Sequence, residues 1–475
     1  MGKPTGFLEY ERVEAKAVSP KERIKNFNEF HTPLSEAEQR CQSARCMDCG
    51  VPFCQSGMNI KGMTSGCPLN NLIPEWNDLV YTGNWEQAYN RLHKTSNFPE
   101  FTSRVCPALC EKACTCGLNG DPVCTKENEM AIIEHAYANG LAGPKPPKAR
   151  TGKRIAVIGS GPSGLTCAGD LAKMGYDVTI FEALHEAGGV LVYGIPEFRL
   201  PKKTVVASEI ENVKKLGVKI ETNVVIGKSM TIDQLINEEG FDAVFIGSGA
   251  GLPRFMGIPG ENANEVFSAN EYLTRSNLMK AFREDYDTPI ARFKKVAVVG
   301  GGNVAMDAAR TALRLGAEVH IVYRRSEEEL PARAEEVHHA KEEGIIFDLL
   351  TNPTEVLTDD KGNVTGIKCV KMELGEPDAS GRRKPVEVPD SEFVMDLDAV
   401  IMSLGTSPNP LISSTTKGLE INKRKCIVAE EANGQTSKEG VYAGGDAVTG
   451  AATVILAMGA GKAAAKGIDE YLSNK

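Results

Sequence analysis

The length, composition and charge of the chain define its general class. Its 475 residues exceed what one hydrophobic core usually serves, so we expect two or three domains. Hydrophobic residues make up 41% and charged residues 25%, as in ordinary globular proteins, and the formal charge of −9 argues against binding to nucleic acid or to an anionic membrane. The first thirty residues hold no apolar signal-like stretch, and no later run has the length of a membrane span. The expected location is the cytoplasm.

Cysteine is concentrated in the first quarter of the chain. Cytoplasmic proteins rarely contain disulfides, so a group of thiols there indicates first a metal site. The remaining three cysteines stand alone and are best interpreted as small buried hydrophobic residues. Ten of the thirteen cysteines precede residue 125, namely Cys41, Cys46, Cys49, Cys54, Cys67, Cys106, Cys110, Cys114, Cys116 and Cys124.

The first 150 residues are predicted to form a small, mainly helical domain. Residues 35–50 and 84–95 have helix-like patterning, while Gly- and Pro-bearing stretches hold the cysteines. Residues 143–148, which contain three prolines, interrupt any regular element and are followed by a short buried strand at 154–158. We therefore place a domain boundary near residue 150.

Strands and helices alternate beyond this boundary, which favours parallel sheets covered by helices. A strand leading into a glycine-rich loop and a helix occurs twice, after residues 155–158 and after residues 296–299. Further buried strands at 242–246, 399–404 and 441–443 indicate that the second unit is inserted into the first. The predicted fold is α/β, with two Rossmann-like nucleotide-binding domains preceded by the small helical domain. The predicted boundaries are 1–150 for the helical domain, 151–289 with 405–475 for the first nucleotide-binding domain, and 290–404 for the second.

The first glycine loop predicts a site for an adenine dinucleotide. In such a loop the glycines allow a tight turn, close approach to a pyrophosphate, and packing of the helix on the strand. Glu182 follows the next strand, where a carboxylate would bond a ribose hydroxyl. A glycine triplet alone also fits a simple turn, but this context favours a nucleotide. The predicted contacts in the loop are Gly159, Gly161, Pro162, Ser163 and Gly164.

The second loop has the same plan but ends differently. Its strand is followed by Arg324 and Arg325 where the first unit has Glu182. Guanidinium groups pair with a 2′-phosphate, so this site favours NADP(H), although two solvated surface arginines are the alternative. The predicted contacts in the loop are Gly300, Gly301, Gly302, Asn303 and Val304.

Two nucleotide sites with unlike endings indicate a flavin handled by a nicotinamide. Gly445 and Asp446 follow a buried strand and precede a helix that begins near Thr453, which is where we expect the flavin. Asp446 also suits an ordinary turn. Gly189 and Gly249 complete the predicted FAD contacts. No pair of neighbouring cysteines accompanies this site, so electrons are expected to leave the flavin by another route.

The spacing of the cysteines predicts iron–sulfur clusters. Cys46-x2-Cys49-x4-Cys54 and Cys106-x3-Cys110-x3-Cys114 form two groups of three, with Cys67-Pro68 between them. Two [4Fe–4S] clusters need eight ligands, and a Cys-Pro end to a ligand run is typical of bacterial clusters. Structural zinc also takes four cysteines at short spacings. Cys41-x4-Cys46-x2-Cys49 matches a [2Fe–2S] pattern, but Cys41 lies in the helical run 35–44, which argues against it. The flavin and nicotinamide sites favour electron-carrying clusters over zinc.

Several segments resemble the small subunits of bacterial glutamate synthases. They are residues 2–7, 45–54, 71–80, 97–107 and 193–202, and the resemblance extends to Gly461. It implies an oxidoreductase that passes electrons from NADPH through FAD and two [4Fe–4S] clusters to an FMN-containing large subunit, which makes L-glutamate from glutamine and 2-oxoglutarate. The cluster domain also resembles those of dihydropyrimidine dehydrogenase and of ferredoxin:NADP transhydrogenase subunits.

The resemblance also implies which residues bind the clusters. Cys46, Cys49, Cys54 and Cys114 would bind one cluster, and Cys67, Cys106, Cys110 and Glu129 the other. The chain departs from the family pattern in having Cys116 and Cys124, either of which competes with Glu129 for the eighth position. Two other functions stay open, namely the flavin subunit of a ferredoxin:NADP oxidoreductase or sulfide dehydrogenase, and a zinc-binding assembly subunit.

Overall fold

The computed structural model describes residues 3–60, 63–377, 381 and 383–475. The N-terminal region is mainly helical, as predicted. A capping box between Ser35 and Glu38 starts helix Glu36–Ala44, which contains Cys41. Its helices are Gly6–Glu9, Pro20–Arg23, Glu36–Ala44, Ile73–Tyr81, Trp85–Leu92, Pro99–Val105, Leu109–Lys112 and Thr125–Ala138, with short 3₁₀ turns at Phe53–Gln55 and Thr115–Leu118. Two short antiparallel strand pairs accompany them, Lys16–Ala17 with His31–Thr32 and Met58–Ile60 with Met63–Ser65.

The first nucleotide-binding unit contains a five-stranded parallel sheet. The central strand places Val157 opposite Ile180 on one side and Phe245 on the other, and all three residues are buried. The strands in spatial order are Val441–Ala443, Ala243–Ile246, Arg154–Ile158, Asp177–Phe181 and Lys219–Glu221. The helices are Pro162–Met174, Val190–Tyr193, Ala207–Lys215, Ile232–Asn237, Leu411–Thr415, Asp446–Thr449 and Val454–Ser473, with a π-helical turn at Lys202–Val206.

The second unit has its own five-stranded parallel sheet. Its strands in spatial order are Val266–Ser268, Ala399–Met402, Lys295–Val299, Glu318–Tyr323 and Ile346–Leu349. Its helices are Ala269–Asn277, Asn303–Arg314 and Ala334–Glu342, with a 3₁₀ turn at Glu327–Glu329. The two parallel sheets confirm the predicted α/β class.

The chain passes between the two units at other positions than the predicted boundaries at residues 289 and 405. Strand Val266–Ser268 pairs with Ala399–Met402 in the second sheet, although residues 151–289 were assigned to the first unit. The chain crosses between the units on two short antiparallel strands, Leu252–Pro253 and Thr406–Ser407. A three-residue edge strand carries too little pattern to be assigned from sequence, because its identity depends on a partner far along the chain.

A four-stranded antiparallel sheet, which the sequence analysis did not predict, follows the last strand of the second sheet. It consists of Thr351–Thr358, Val364–Pro377, Arg383–Glu387 and Phe393–Asp396. Irregular register at Pro353/Glu355 and at Leu374/Pro377 interrupts the alternation that would identify its strands.

The N-terminal region and the first unit share one hydrophobic core. Trp76 and Phe101 belong to the same buried cluster as Val157 and Leu165 of the first unit. Helix Val454–Ser473 packs tightly on helix Pro162–Met174, because a Cβ atom at Gly461 would lie 2.3 Å from the Ser163 carbonyl oxygen. Among the described residues, no helix combines the length and apolar character needed to cross a membrane.

Candidate cofactor sites

The first glycine loop lies between strand Arg154–Ile158 and helix Pro162–Met174. Gly159 has φ of +95°, and a Cβ atom on it would lie 2.6 Å from the Gly247 carbonyl oxygen. A Cβ atom on Gly164 would lie 2.0 Å from the Gly159 carbonyl oxygen, so only glycine allows this approach of helix and strand. A Cβ atom on Gly161 would meet nothing within 4 Å. The loop is therefore tight on its protein side and open on the side where a pyrophosphate would lie.

Glu182 lies at the end of strand Asp177–Phe181, beside the same loop. The side chain is buried, and its carboxylate accepts hydrogen bonds from the backbone N–H groups of Ser160 and Leu184, each at 2.9 Å. The Ser160 hydroxyl donates a further bond to the same carboxylate. These three hydrogen bonds hold the carboxylate at the position where the sequence predicts a ribose contact.

A cavity of about 580 Å³ extends from this loop towards the second unit. Two residues of the second loop, Asn303 and Val304, also line it. Gly164 and Gly445 lie behind the lining residues, and a Cβ atom on Gly445 would come within 2.9 Å of the Ser163 hydroxyl oxygen. The predicted FAD contacts that line the cavity are Gly159, Gly161, Pro162, Ser163, Glu182, Gly189, Gly249, Asp446 and Thr453.

The cavity wall also includes two residues of the N-terminal region. Val105 and Pro107 line the cavity, and they are the chain neighbours of Cys106. Neither residue belongs to a nucleotide-binding motif, so the sequence alone did not predict their place in the cavity wall. A predicted cluster ligand therefore lies directly behind the wall of the predicted flavin cavity.

Asp446 and Thr453 also line the cavity, at the starts of two helices. Burial raises the pKa of Asp446 to about 6, although the Ala452 backbone N–H donates to its carboxylate at 3.2 Å. The Thr453 hydroxyl caps helix Val454–Ser473 by accepting from the Leu456 N–H. The structure thus confirms the predicted start of this helix.

The second glycine loop repeats the geometry of the first. Gly300 has φ of +139°, and a Cβ atom on it would lie 2.3 Å from the Ser403 carbonyl oxygen. A Cβ atom on Gly301 would lie 2.7 Å from Leu330, whereas one on Gly302 would meet nothing within 4 Å. Helix Asn303–Arg314 begins directly after the loop and points its free N–H groups towards this open side.

The two predicted arginines follow strand Glu318–Tyr323 but do not line the cavity shared by the loops. Arg324 is exposed, and Arg325 is half-buried and donates its Nε–H to the Arg383 carbonyl oxygen at 3.0 Å. Arg383 in turn pairs with Glu329 at 3.0 Å. Arg324 therefore offers the more accessible guanidinium for a phosphate at the outer end of the site.

The structure brings together the first predicted set of cluster ligands, Cys46, Cys49, Cys54 and Cys114. Burial raises the pKa of Cys46 to about 11, and the neighbouring sulfurs of Cys114 and Cys49 act in the same direction. Burial likewise raises the pKa of Cys54 to about 12, with contributions from Cys46, Cys114 and Cys49. The mutual influence places these sulfurs near one another, and the thiols of Cys46 and Cys54, which resist ionisation, suit a cationic centre that would stabilise their thiolates.

The second predicted set, Cys67, Cys106, Cys110 and Glu129, is also brought together. Burial raises the pKa of Cys106 to about 12, with further contributions from Glu129 and Cys67, and the pKa of Cys110 lies well above its ordinary range for the same reasons. Glu129 is buried on helix Thr125–Ala138 and accepts one hydrogen bond from the Thr102 hydroxyl at 2.5 Å. Burial raises the pKa of Glu129 to about 8.

The two competing cysteines occupy different places. Cys116 lies next to the first set, because its side chain hydrogen-bonds to Cys114 and lowers the pKa of Cys114 to about 6. Cys124 is fully buried and directs its thiol to the Gln42 side-chain oxygen at 3.5 Å, and the charges that act on it are those of Arg12, Glu111 and Glu127. Among the described residues, Glu129 is thus the candidate placed with the second set.

The distances between ligand atoms bear on the choice between zinc and clusters. Four sulfurs around one zinc ion lie about 3.8 Å apart, as tetrahedral Zn–S bonds of about 2.3 Å require. Within the described parts of the chain, one group of three or more metal-ligating atoms lies within 4.8 Å of one another, formed by His31, Glu335 and His339. Among the described residues, no three cysteine sulfurs lie within 4.8 Å of one another, a wider spacing than mononuclear zinc requires. Glu335 of the histidine group is already paired with Lys126 and Arg333.

Comparison with known proteins agrees with this geometry. Residues 153–461 match the family model of pyridine nucleotide-disulphide oxidoreductases, which also matches 117–228, and residues 23–141 match that of dihydropyrimidine dehydrogenase domain II, 4Fe-4S cluster. The glutamate synthase [NADPH] small chain of Bacillus subtilis is 38% identical over 99% of both chains. The chain belongs to the glutamate synthase small-chain family. The corresponding Escherichia coli protein is 35% identical over 98% of both chains.

Proteins with other names also resemble this small-chain family member. The NADP(+)-dependent formate dehydrogenase subunit beta of Moorella thermoacetica is 40% identical over 86% of this chain and 59% of its own length. Among solved structures, FprA of Mycobacterium tuberculosis in complex with NADPH has a TM-score of 0.56 at 19% identity, covering 70% of this chain and 85% of its own. Thioredoxin reductase of Lactococcus lactis has a TM-score of 0.51 at 22% identity, covering 68% and 100%. These two structures share the fold.

Together the matches confirm that this small-chain family member is an FAD-dependent, pyridine-nucleotide oxidoreductase that transfers electrons and carries a 4Fe-4S domain.

Proposed function

We propose that the chain passes electrons from NADPH through FAD and two [4Fe–4S] clusters to a glutamate synthase large subunit, which forms L-glutamate from glutamine and 2-oxoglutarate. The observation that carries this proposal is the single cavity that both glycine loops and the neighbours of Cys106 line. When bound, the flavin would exchange a hydride with NADPH and the clusters would carry single electrons. The chain itself supplies binding, orientation and exclusion of water.

The chemical groups of FAD and NADPH indicate which residues would bind each nucleotide. Glu182 would bond the ribose of FAD, while Gly161 leaves space for the pyrophosphate at the start of helix Pro162–Met174. Asp446, with its raised pKa, would present a hydrogen-bonding carboxyl group to the polar part of the flavin. Gly302 would face the pyrophosphate of NADPH, and Arg324 would pair with its 2′-phosphate.

The cysteine sets define the proposed electron route. Cys67, Cys106, Cys110 and Glu129 would hold the cluster next to the flavin cavity, because Val105 and Pro107 separate Cys106 from it. The set that contains Cys46 would hold the second cluster. We also propose domains that follow the observed sheets, with an N-terminal iron–sulfur domain to about residue 150 and exchanges between the nucleotide units near Leu252–Pro253 and Thr406–Ser407.

Exposed apolar residues beside the first set indicate where a protein partner would dock. Val51 lies between Cys49 and Cys54 and is 74% exposed, and Met63 on the adjacent strand pair is 72% exposed. Phe53 and Met58 are 46% exposed in the same segment. Apolar side chains grouped on the surface next to a redox centre suit a subunit interface.

The test combines the chain with candidate large subunits, NADPH, glutamine and 2-oxoglutarate, and measures glutamate. Val51→Glu with Met63→Glu is expected to reduce glutamate formation at least tenfold while NADPH-dependent ferricyanide reduction is retained. Val394→Glu, at a valine that is 53% exposed on the antiparallel sheet, is the control and should change neither rate. Absence of glutamate with every large subunit would reject the proposed partner.

A second function is favoured by the formate dehydrogenase relative, since a similar chain there forms part of a larger protein. In that case the chain would exchange electrons between NADP(H) and a ferredoxin or another dehydrogenase subunit. Rapid reduction of ferredoxin without any glutamate formation would favour this alternative. Zinc in place of iron on metal analysis would reject both functions.

A further inference from the structure

A buried guanidinium joins the two nucleotide-binding units at the wall of the flavin cavity. Arg199 belongs to the first unit and lines the cavity. Its Nη1 donates to both carboxylate oxygens of Asp307 at 2.8 Å, and its Nη2 contacts a Glu336 oxygen at 2.9 Å. Asp307 lies on helix Asn303–Arg314 and Glu336 on helix Ala334–Glu342, both in the second unit.

These three side chains are almost entirely removed from water. The exposed fraction is 10% for the side chain of Arg199 and 6% for those of Asp307 and Glu336. A buried ion pair gives little net stability over apolar packing, but its geometry is strict. The planar guanidinium fork fixes both carboxylates in direction as well as in distance. The contact is therefore suited to fixing the orientation of the second unit relative to the first.

The carboxylate that Arg199 holds is close to the second glycine loop. Asp307 comes one helical turn after Asn303, which itself lines the cavity next to Val304. A displacement of Asp307 would carry the start of this helix, and with it the nucleotide-binding loop, away from the flavin side. Arg199 is therefore placed to set how closely the second loop approaches the first.

A neighbouring arginine provides an internal comparison. Arg310 is fully buried on the same helix and donates to Glu336 at 2.9 Å and to Glu343 at 2.8 and 3.0 Å. All of these partners belong to the second unit. Arg310 therefore resembles Arg199 in burial and charge, but its contact with the first unit is the ring of Phe198, 4.8 Å from its guanidinium carbon, and not an ion pair.

We propose that Arg199 is a positioning residue for hydride transfer, which fixes the second glycine loop across the flavin cavity through Asp307 and Glu336. This inference rests on the proposed FAD and NADPH sites, and it does not depend on the identity of the electron-accepting partner. A shift of about 1 Å between reacting groups lowers a rate on the order of 100-fold. Loss of the bridge should therefore affect the transfer step far more than binding.

The test uses the full chain with its flavin and clusters, without any partner. Stopped-flow measurement of Arg199→Met should show a limiting rate of flavin reduction on the order of 100-fold lower, with the Kd for NADP⁺ within about threefold of the wild type. Arg199→Lys keeps the charge but lacks the planar fork, so its limiting rate of flavin reduction should lie between those of Arg199→Met and the wild type. Hydrogen exchange of the flavin-loaded protein without nucleotide should rise in helix Asn303–Arg314 of the Arg199→Met variant.

Arg310→Met is the matched control for a purely structural role. It should lower the unfolding temperature at least as much as Arg199→Met, yet reduce the limiting rate by less than tenfold. An equal or larger loss of rate in Arg310→Met would overturn the proposal. A raised Kd for NADP⁺ with an unchanged limiting rate in Arg199→Met would also overturn it, because Arg199 would then bind nucleotide. If neither NADPH nor NADH reduces the wild-type flavin, the proposed function fails as well, whereas failure to make glutamate leaves this inference intact.

Discussion

Replacing Glu129 provides a direct test of the second cluster. The carboxyl group is 6% exposed, lies with Cys67, Cys106 and Cys110, and accepts a hydrogen bond from Thr102. If this set holds a [4Fe–4S] cluster, Glu129→Ala should lower the iron content from about eight to about four atoms per chain. Acid-labile sulfide should fall in the same proportion, and one of two cluster signals should disappear from the resonance spectrum of the reduced protein.

The controls for this prediction are close in sequence. Glu127→Ala, two residues earlier on the same helix and beside Lys126, should keep all the iron. Glu129→Cys should retain the cluster because it offers a thiolate in place of the carboxylate. Full iron in Glu129→Ala, together with a loss of half the iron in Cys124→Ala or Cys116→Ala, would refute the assignment of Glu129.

Three further predictions test the nucleotide preference and the charged contacts. Arg324→Glu with Arg325→Glu should raise the KM for NADPH about 10- to 100-fold and leave that for NADH nearly unchanged, since only the 2′-phosphate loses its partner; equal changes in steady-state assays would contradict it. Glu343→Gln leaves three buried arginines without their shared carboxylate, so the free energy of unfolding measured in denaturant should fall by about 3–5 kcal/mol. Asp348, and next Glu318, raise the pKa of His320 above its ordinary value of 6.5. The resulting stabilisation is therefore complete below pH 6.5 and lost as the pH rises through the folded-state pKa, and His320→Gln should abolish this dependence in denaturation curves.

Local sequence patterns predicted the parts of the fold that depend on nearby residues. The strands and helices around both glycine loops were found where expected, and Thr453 caps the last helix. The glycines could be predicted because the tight approach of Gly164 to Gly159 is a requirement of the backbone itself. Such features recur with fixed spacing and need no knowledge of distant partners.

Features built from distant residues were not predicted. The antiparallel sheet at 351–396 depends on long-range pairing with irregular register, and strand Val266–Ser268 is defined by its partner in the second sheet. In the site, Val105 and Pro107 reach the flavin cavity only through packing of the N-terminal region on the first unit. Arg199 likewise gained a proposed role from a contact with Asp307 that spans the two units.

Two buried glutamates at the proposed cofactor sites have different surroundings. Glu182 accepts bonds from two backbone N–H groups and a hydroxyl, which hold its carboxylate beside the first glycine loop. Glu129 has one donor among the described residues, Thr102, and burial raises its pKa to about 8. A carboxylate so poorly compensated requires a nearby cation to stay ionised at neutral pH. The three thiols around Glu129, which also resist ionisation, create the same requirement, and an iron–sulfur cluster would satisfy all four groups together.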